Sequence, residues 1–545
     1  MMLSAFVGGL NTLLSPNLLA NSEAVECVNV DIASGTLKAV KAPGPGEQTI
    51  APYTYYFSNH WVDISTQVQQ TPPTLDTYYG GLANSVFTNG IFGGTAASVF
   101  TDSILGGLPT TTAAAPSAVE YNNTLVYTNE LGLFKHTGSD TVLRCGITPP
   151  TAAPVVSVGP ATGQTGTYTY CYTYYRGFDS TESNPSELSA ELILANQKAN
   201  VDVVASAEAN VSAIRIYRIG GNLLTMSLVM EVPNTTATVV DGVSDTLVIG
   251  DIVPLNNNAP PIGLKYLVEQ TGVFYAAVGN KLYFTEPLGN PNYWPAFYYI
   301  QFSKNITGLA GTPNGIVVFT AFTTEVVLGS DVSAYTRVVI SYDQGCPLNG
   351  SIAKYGQGVL FLSSDGLCFT SGASVDLLSY SKLGKVNISA SHSALVDNVY
   401  YALAFDGKVF VYNLNLQCYY YLDLPITGLY NGKDTLYCRS GERIAPMFQG
   451  TKVPYKYTTG IMAGSRYSAV KSYNNVYLRS NGDVVMDISL DPQGLVTSID
   501  LTGNTSHDVS VPQVEMLAYG IQFTFTGTAD VYELEYVVEE RQNGR

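Results

Sequence analysis

Charge is scarce in this chain, and so are the residues that carry most enzyme chemistry. Only 13% of its 545 residues are charged, while 46% are hydrophobic, a balance that excludes a disordered, self-repelling polymer. Histidine occurs four times, at His60, His136, His392 and His507, and no two stand at a metal-ligating spacing such as His-Glu-x-x-His. Each is expected at the surface or in a turn. There is no Gly-x-Ser-x-Gly elbow and no phosphate-binding loop of the Walker type, so acyl transfer and nucleotide hydrolysis lack their usual markers. The sequence therefore predicts no enzyme, no catalytic residues, no cofactor and no metal ligands.

Cysteine is equally uninformative as a framework. The seven, at positions 27, 145, 171, 346, 368, 418 and 438, are odd in number and include no CxxC, which argues against a zinc knuckle or a complete disulfide set. They are expected to be small buried side chains, made in a reducing compartment. Long hydrophobic runs are missing too. No stretch reaches the roughly 18 apolar residues of a membrane helix. The N-terminus lacks a basic start and is interrupted at Gly8, Gly9, Asn11 and Pro16, so neither signal peptide nor membrane anchor is expected.

What the chain has in quantity is tyrosine, 39 of them, with 51 Gly and 27 Pro. Tyr and Thr suit a pleated, half-buried surface, and the breakers come too often for long helices. The prediction is an all-β protein, long enough for several domains. A net charge of −17 makes a nucleic-acid-wrapping surface improbable, because an acidic protein repels phosphate.

One grammar recurs along the chain: short strands joined by tight polar turns. It runs over residues 118–146, with turns at Asn122-Asn123 and Glu130 to Gly132. It returns at 264–286 (turn at Gly279-Asn280-Lys281), 306–330 (Thr312 to Gly315), 351–378 (Ser364-Asp365-Gly366), 391–424 (Asp397-Asn398 and Asp406-Gly407) and, in shorter form, 425–449 (Asn431-Gly432). From 264 onward the units start roughly 35 to 45 residues apart, the period of propeller blades of about four strands. A stacked β-sandwich is the competing reading.

Residues 149–262 interrupt this pattern between a stiff Pro149-Pro150/Pro154 segment and the polar NNNAPP at 256–261. Within them TYTYCYTYY places Tyr168, Tyr170, Tyr172 and Tyr174 on one strand face, with Thr167, Thr169, Cys171 and Thr173 on the other. Ile214 and Ile216 likewise oppose Arg215 and Tyr217. These residues predict a seven-stranded sandwich inserted into the propeller. The expected division is 1–148 as N-terminal segment and first propeller strands, 149–262 as the insert, 263–450 as the rest of the propeller, and 451–545 as a C-terminal β-sandwich. The acidic turns Asp179/Glu182, Asp241/Asp245/Asp251 and Asp491 are the one place where a glycosidase pair could hide. They are expected to cap turns instead. Trp61 and Trp294 could stack on a sugar, but packing is the expected role.

The stretch LYFTEPLGNPNYWP (282–295), followed by ITGLAGTPNGIVVFTAFTTEVVLGS, resembles a signature of short-tailed bacteriophage tail nozzle proteins, the tail tubular protein B-like and packaged-DNA stabilisation proteins. Tyr283, Thr285, Glu286, Pro287, Pro291, Trp294, Pro295, Gly308 and Gly329 carry the likeness. So do Gly8-Gly9, Asn29, Gly35 and Leu37 near the start and the Ser364-Asp365-Gly366 turn, while the insert resembles fibronectin type III-like modules. The resemblance implies a virion tail protein, made in the host cytoplasm, with six copies in a ring below an adaptor and fibres or spikes alongside. Double-stranded DNA would pass through the lumen without specific binding. An acidic or neutral lumen is expected, since a basic wall would brake the genome. The alternative reading is a carbohydrate-binding or carbohydrate-cleaving propeller on a phage tail or bacterial surface.

Overall fold

A computed structural model describes residues 2–64 and 116–540, apart from short stretches at 4–5, 7, 47, 50–53, 58–59, 138–141, 209, 249, 330–333, 384–387, 433–434, 464–466, 502–506 and 511–515. The fold is all-β, built of four-stranded, propeller-like blade sheets and sandwich layers. Among the described residues the only helical elements are short 3-10 turns and one turn of α-helix at Tyr380–Leu383. The chain divides into two compact units, Phe57–Ile306 and Met1–Tyr56 with Thr307–Arg545.

The first of these units holds two four-stranded antiparallel sheets of blade form. One comprises Ser117–Tyr121, Thr124–Asn129, Gly132–His136 and Val142–Arg144. Its first hairpin turns on Asn122 and Asn123 at φ 47° and 56°, the left-handed pair that a two-residue hairpin loop requires and that Asn tolerates. The other comprises Lys265–Gln270, Val273–Val278, Lys281–Phe284 and Tyr299–Gln301, so its fourth strand lies beyond the Pro- and Trp-rich stretch.

Between the two sheets lies the insert. Its long strand Val155–Arg176 pairs with Leu192–Val203 over its first part and with Ala213–Gly220 over its second. The register shifts repeatedly between Val158 and Thr165, and there the strand turns over. The twelve residue steps from Val158 to Tyr170 would span about 40 Å if straight. Yet the Tyr170 hydroxyl donates to Asp241 at 2.9 Å, and Asp241 pairs with Ala199, itself the partner of Val158. One hydrogen-bonded sheet thus folds into two layers. Between them Tyr168, Tyr170, Tyr172, Tyr174, Ile214 and Ile216 form the core, on the face that their alternation predicts.

The second unit carries four more blade-like sets. Two are separate four-stranded sheets, Ile306–Thr312 through Thr336–Ser341 and Ala353–Tyr355 through Val375–Leu377. The third, Ile388–Val396 through Cys418–Leu422, opens a ten-stranded sheet. It continues through Glu23–Val28 into Tyr455–Thr459, Gly520–Gly527, Val484–Asp491 and Gly494–Asp500. A second sheet, built on Asp530–Glu540 and Lys471–Asn481, faces this last portion. Phe523 meets Tyr536 across the gap at 5.8 Å between ring centroids, which gives the C-terminal sandwich its core. Val484–Asp491 alternates buried and half-buried residues without a break, the signature of a strand with one face on a core.

The N-terminal segment pairs with strands far along the chain. Met2–Leu3 pairs with Leu534 and Glu535, and Glu23–Val28 pairs with Tyr455–Thr459, so both chain ends build the sandwich. Gln48–Thr49 adds the fourth strand to Gly428–Asn431, Leu436–Ser440 and Arg443–Pro446. The shorter repeat at 425–449 had too few residues to complete a blade alone.

Candidate functional site

The acidic residues of the insert are drawn together with arginines rather than with each other. Arg218, fully buried, holds Asp241 at 2.5 Å and Asp245 at 2.7 Å. Tyr170 and the Val243 amide also donate to Asp241, and Tyr168 and the Asn222 amide donate to Asp245. Burial, with the Asp241 carboxylate alongside, pushes the Tyr170 phenol far above its ordinary value, so it serves as a permanent donor. Glu182 forms a second knot, accepting from Arg215, Tyr217 and Thr173 at 2.7, 2.5 and 2.6 Å. These carboxylates are saturated with donors and face cations. They are not the opposed acid and base that glycoside hydrolysis requires. Asp251 lies at the surface, and Asp491 accepts from the Tyr467 hydroxyl.

A third knot joins the insert to its neighbouring sheets. Asp179 takes a bidentate bond from Arg176, both at 2.8 Å, and meets Lys135 of the first blade sheet at 2.5 Å. Burial raises its carboxyl, but the bonds from Arg176 and the charge of Lys135 outweigh that and hold it well below the usual carboxylate range. Much of the 282–295 stretch converges on the same place. Asn292 donates to Thr181 at 2.9 Å and accepts from the Gly146 amide at 3.3 Å. The Tyr293 hydroxyl accepts from the Glu182 amide, and Trp294, 2% exposed, donates to the Pro291 carbonyl at 2.9 Å. Thr285 caps the Phe274 amide, and Glu286 accepts from Tyr298. Gly146 stands at φ 70°, and a Cβ there would lie 2.7 Å from Pro260 and 2.8 Å from Ala259, so the two ends of the insert meet. Asn292 and Tyr293 thus tie the 282–295 stretch to the insert.

Ser183, Ser186 and Ser189 were invisible to a search for strand alternation. Each hydroxyl accepts from the backbone of one alternate tyrosine, Tyr174, Tyr172 and Tyr170 respectively, and each serine amide donates back to the same residue's carbonyl. The Ser-x-x-Ser-x-x-Ser spacing matches a three-residue turn of extended chain to a two-residue strand period, closing a sheet edge that would otherwise be open.

Of the histidines, His136 is buried in its strand with its ring edge-on to Phe57 at 5.8 Å, contrary to the surface position expected. Its apolar strand neighbours on both sides bury it. His392 is half-buried beside Tyr430. The side chains of His60 and His507 lie outside the described residues, and Trp61 is half-buried. All seven cysteines are buried free thiols, and burial pushes Cys145, Cys171, Cys368 and Cys438 up to about 12. Among the described residues no group of three His, Cys, Asp or Glu is placed to hold a metal ion, and no helix is long and apolar enough to cross a membrane.

The second unit holds a cavity of about 660 Å³ between the Ile388–Leu422 sheet and the N-terminal and C-terminal strands. Tyr401, Tyr420, Met447 and Phe448 line it, with Asn413 beside them. Asp31, Asp397, Asp530, Lys38, Lys41 and Lys452 stand around it.

No family model matches the chain, and no curated protein matches it. Among solved structures it is similar to the computationally designed Ika8 protein (11% identity, 62% of this chain and 83% of that one, TM-score 0.30). It is also similar to BamB from Moraxella catarrhalis (11% identity, 60% and 94%, TM-score 0.24). A third is the extracellular domain of the putative one component system BT4673 from B. thetaiotaomicron (11% identity, 74% and 46%, TM-score 0.28). Likenesses this slight have no weight for function.

Proposed function

We propose that the protein is a structural subunit of a short bacteriophage tail, of the nozzle type, and catalyses no reaction. Six copies form a closed ring, a tube below the adaptor and portal that retains the packaged genome and conducts it during ejection. The sequence likeness at 282–295 suggests the family, and the observation that carries the subunit role is exposed apolar surface. Leu224 is 93% exposed, Phe297 88%, Ile262 83% and Leu288 79%, all within the Phe57–Ile306 unit. Single exposed apolar side chains are ordinary. Several of this size within one unit suit a subunit with neighbours.

The charge suits the same role. Six chains of −17 carry −102, and a wall without clustered Lys and Arg would not brake passing DNA by binding its phosphates. Only residues within about 8 Å of the duplex would act on it at physiological salt.

Size measurement by light scattering and negative-stain imaging test the reading. A sixfold ring is expected, and Phe297→Asp should weaken it while the protein still melts as the parent does. A protein that stays monomeric in solution and within mature particles would overturn it.

A further inference from the structure

The cavity in the second unit has features that a structural tube subunit does not need. Its floor is aromatic: Tyr401 and Phe448 stand 6.3 Å apart between ring centroids at 46°, with Tyr420 and Met447 beside them. Phe448 has φ 62°, a left-handed conformation that strains a bulky residue and is found preferentially at functional sites such as ligand clamps. Asn413 is 8% exposed, and its amide oxygen is taken by the backbone N–H groups of Asn415 and Leu416. Its amide nitrogen is left without a protein partner at the cavity wall.

The rim mixes signs. Asp31, Asp397 and Asp530 face Lys38, Lys41 and Lys452, three carboxylates against three ammonium groups. Only Lys452 and Asp530 are paired directly, at 2.9 Å. Lys41 lies opposite Lys452 in an antiparallel bridge, and Asp31 lies opposite Lys38, so acceptors and donors are distributed around the opening. A rim with no net charge does not select an anion or a cation. It suits a neutral molecule that has an apolar face and an edge bearing many hydroxyls, each able to donate to a carboxylate and accept from an ammonium.

We propose that this cavity binds a neutral saccharide, the C–H face of a pyranose ring lying on Phe448 and its hydroxyls reaching Asn413, Asp397 and the rim lysines. The volume leaves room for more than one ring, within the usual span of about 300–1,000 Å³ for small-molecule sites. This is binding without cleavage, and it does not depend on the tail-tube reading.

Saturation-transfer NMR on the full chain with D-glucose, D-galactose and N-acetyl-D-glucosamine tests it, with inorganic phosphate as the anionic comparator. Transfer to the C–H protons of at least one sugar is expected, at millimolar affinity. Phe448→Gly should weaken that binding about tenfold, the loss of one aromatic platform worth about 1.4 kcal/mol. Glycine adopts the left-handed backbone without strain, which offsets part of the packing lost where Phe448 rests on the core. Asp397→Gly, at an exposed rim position, removes the carboxylate while keeping the left-handed turn (φ 47°), and as a second variant should also weaken binding. No transfer to any of the sugars would overturn the proposal. So would unchanged affinity in both variants, or displacement of the sugar by phosphate.

Discussion

Replacing Arg218 by methionine isolates the energetic role of the insert's central ion cluster. The guanidinium is fully buried, as is Asp241, and the Asp245 side chain is 8% exposed. Arg218→Met keeps the length and apolar stem of the side chain but leaves two carboxylates without a counter-charge. Removing one partner of a buried pair costs about 3–5 kcal/mol. Two features place this case near the lower bound. Each carboxylate retains two donors, Tyr170 and the Val243 amide for Asp241, Tyr168 and the Asn222 amide for Asp245. The Arg218 Nε also has no hydrogen-bond partner, so part of the arginine's desolvation is already uncompensated in the native protein. A loss of about 3 kcal/mol corresponds to somewhat more than a hundredfold rise in the open population. Hydrogen exchange should therefore speed up about a hundredfold at amides of Val155–Arg176 and Ala213–Gly220. Amides of the Ala353–Leu377 strands, in the other unit, should be unaffected. Arg215→Met is the control: its side chain is 18% exposed and Glu182 keeps its bonds from Tyr217 and Thr173, so a smaller effect of about 1 kcal/mol is expected. Equal protection in the Arg218 variant and the parent would refute the view that the insert is held together by this charge cluster.

Asp179→Asn should lower the melting temperature at neutral pH, because it removes the counter-charge of Lys135 and Arg176. The folded carboxyl lies below its unfolded value of about 3.9, so its stabilisation is complete above that pH and fades as pH falls further. The gap between variant and parent melting temperatures should accordingly narrow in strong acid, and a gap independent of pH would refute the assignment. Excising 149–262 with a short Gly/Ser bridge should leave a cooperative β-type melt, since Gly146 already touches Ala259 and Pro260. The melting temperature should fall, as Lys135 loses Asp179 and the Trp294 amide loses the Asn258 carbonyl; a non-cooperative melt would show that the insert belongs to the main core. No thiol should react with a disulfide reagent at pH near 8 in the native protein, because burial holds all seven cysteines as neutral thiols, and all seven should react in denaturant. A fast-reacting native thiol would contradict this.

The strand units were legible because their turns are chemically explicit. Asn122-Asn123 and Asp397-Asn398 supply left-handed residues where two-residue loops need them, and the alternating tyrosines of 168–174 declare a buried face. Pairings distant in sequence were not legible. Nothing in Gln48 and Thr49 marks them as the outer strand of a sheet formed some 400 residues later, because two residues of edge strand carry no periodicity. Glu23–Val28 could be read as a strand, but not as the bridge between a blade and a sandwich. The acidic turns were legible as polar positions only. Which of them became ion pairs was decided by Arg176, Arg215 and Arg218, arginines that sequence spacing alone does not match to their carboxylates.

The location of the likeness at 282–295 bears on what it can mean. Thr285, Asn292 and Trp294 are buried, and their polar atoms are occupied by Phe274, Thr181, Gly146 and Pro291 within the same unit. Residues spent in this way cannot also recognise a neighbour. Asn292 joins the insert to the blade sheet, while Thr285 and Trp294 hold their own stretch in shape. Phe297, Leu288 and Ile262 flank the joint and remain open to solvent. A packed joint with exposed apolar residues on its flanks separates two effects of mutation. Truncating Trp294 should cost about 3–5 kcal/mol of folding stability, whereas polar exchange at Phe297 should stay within about 0.5 kcal/mol for the isolated chain. Any loss of ring formation at Phe297 is then a loss of contact between copies, and the joint itself is left intact.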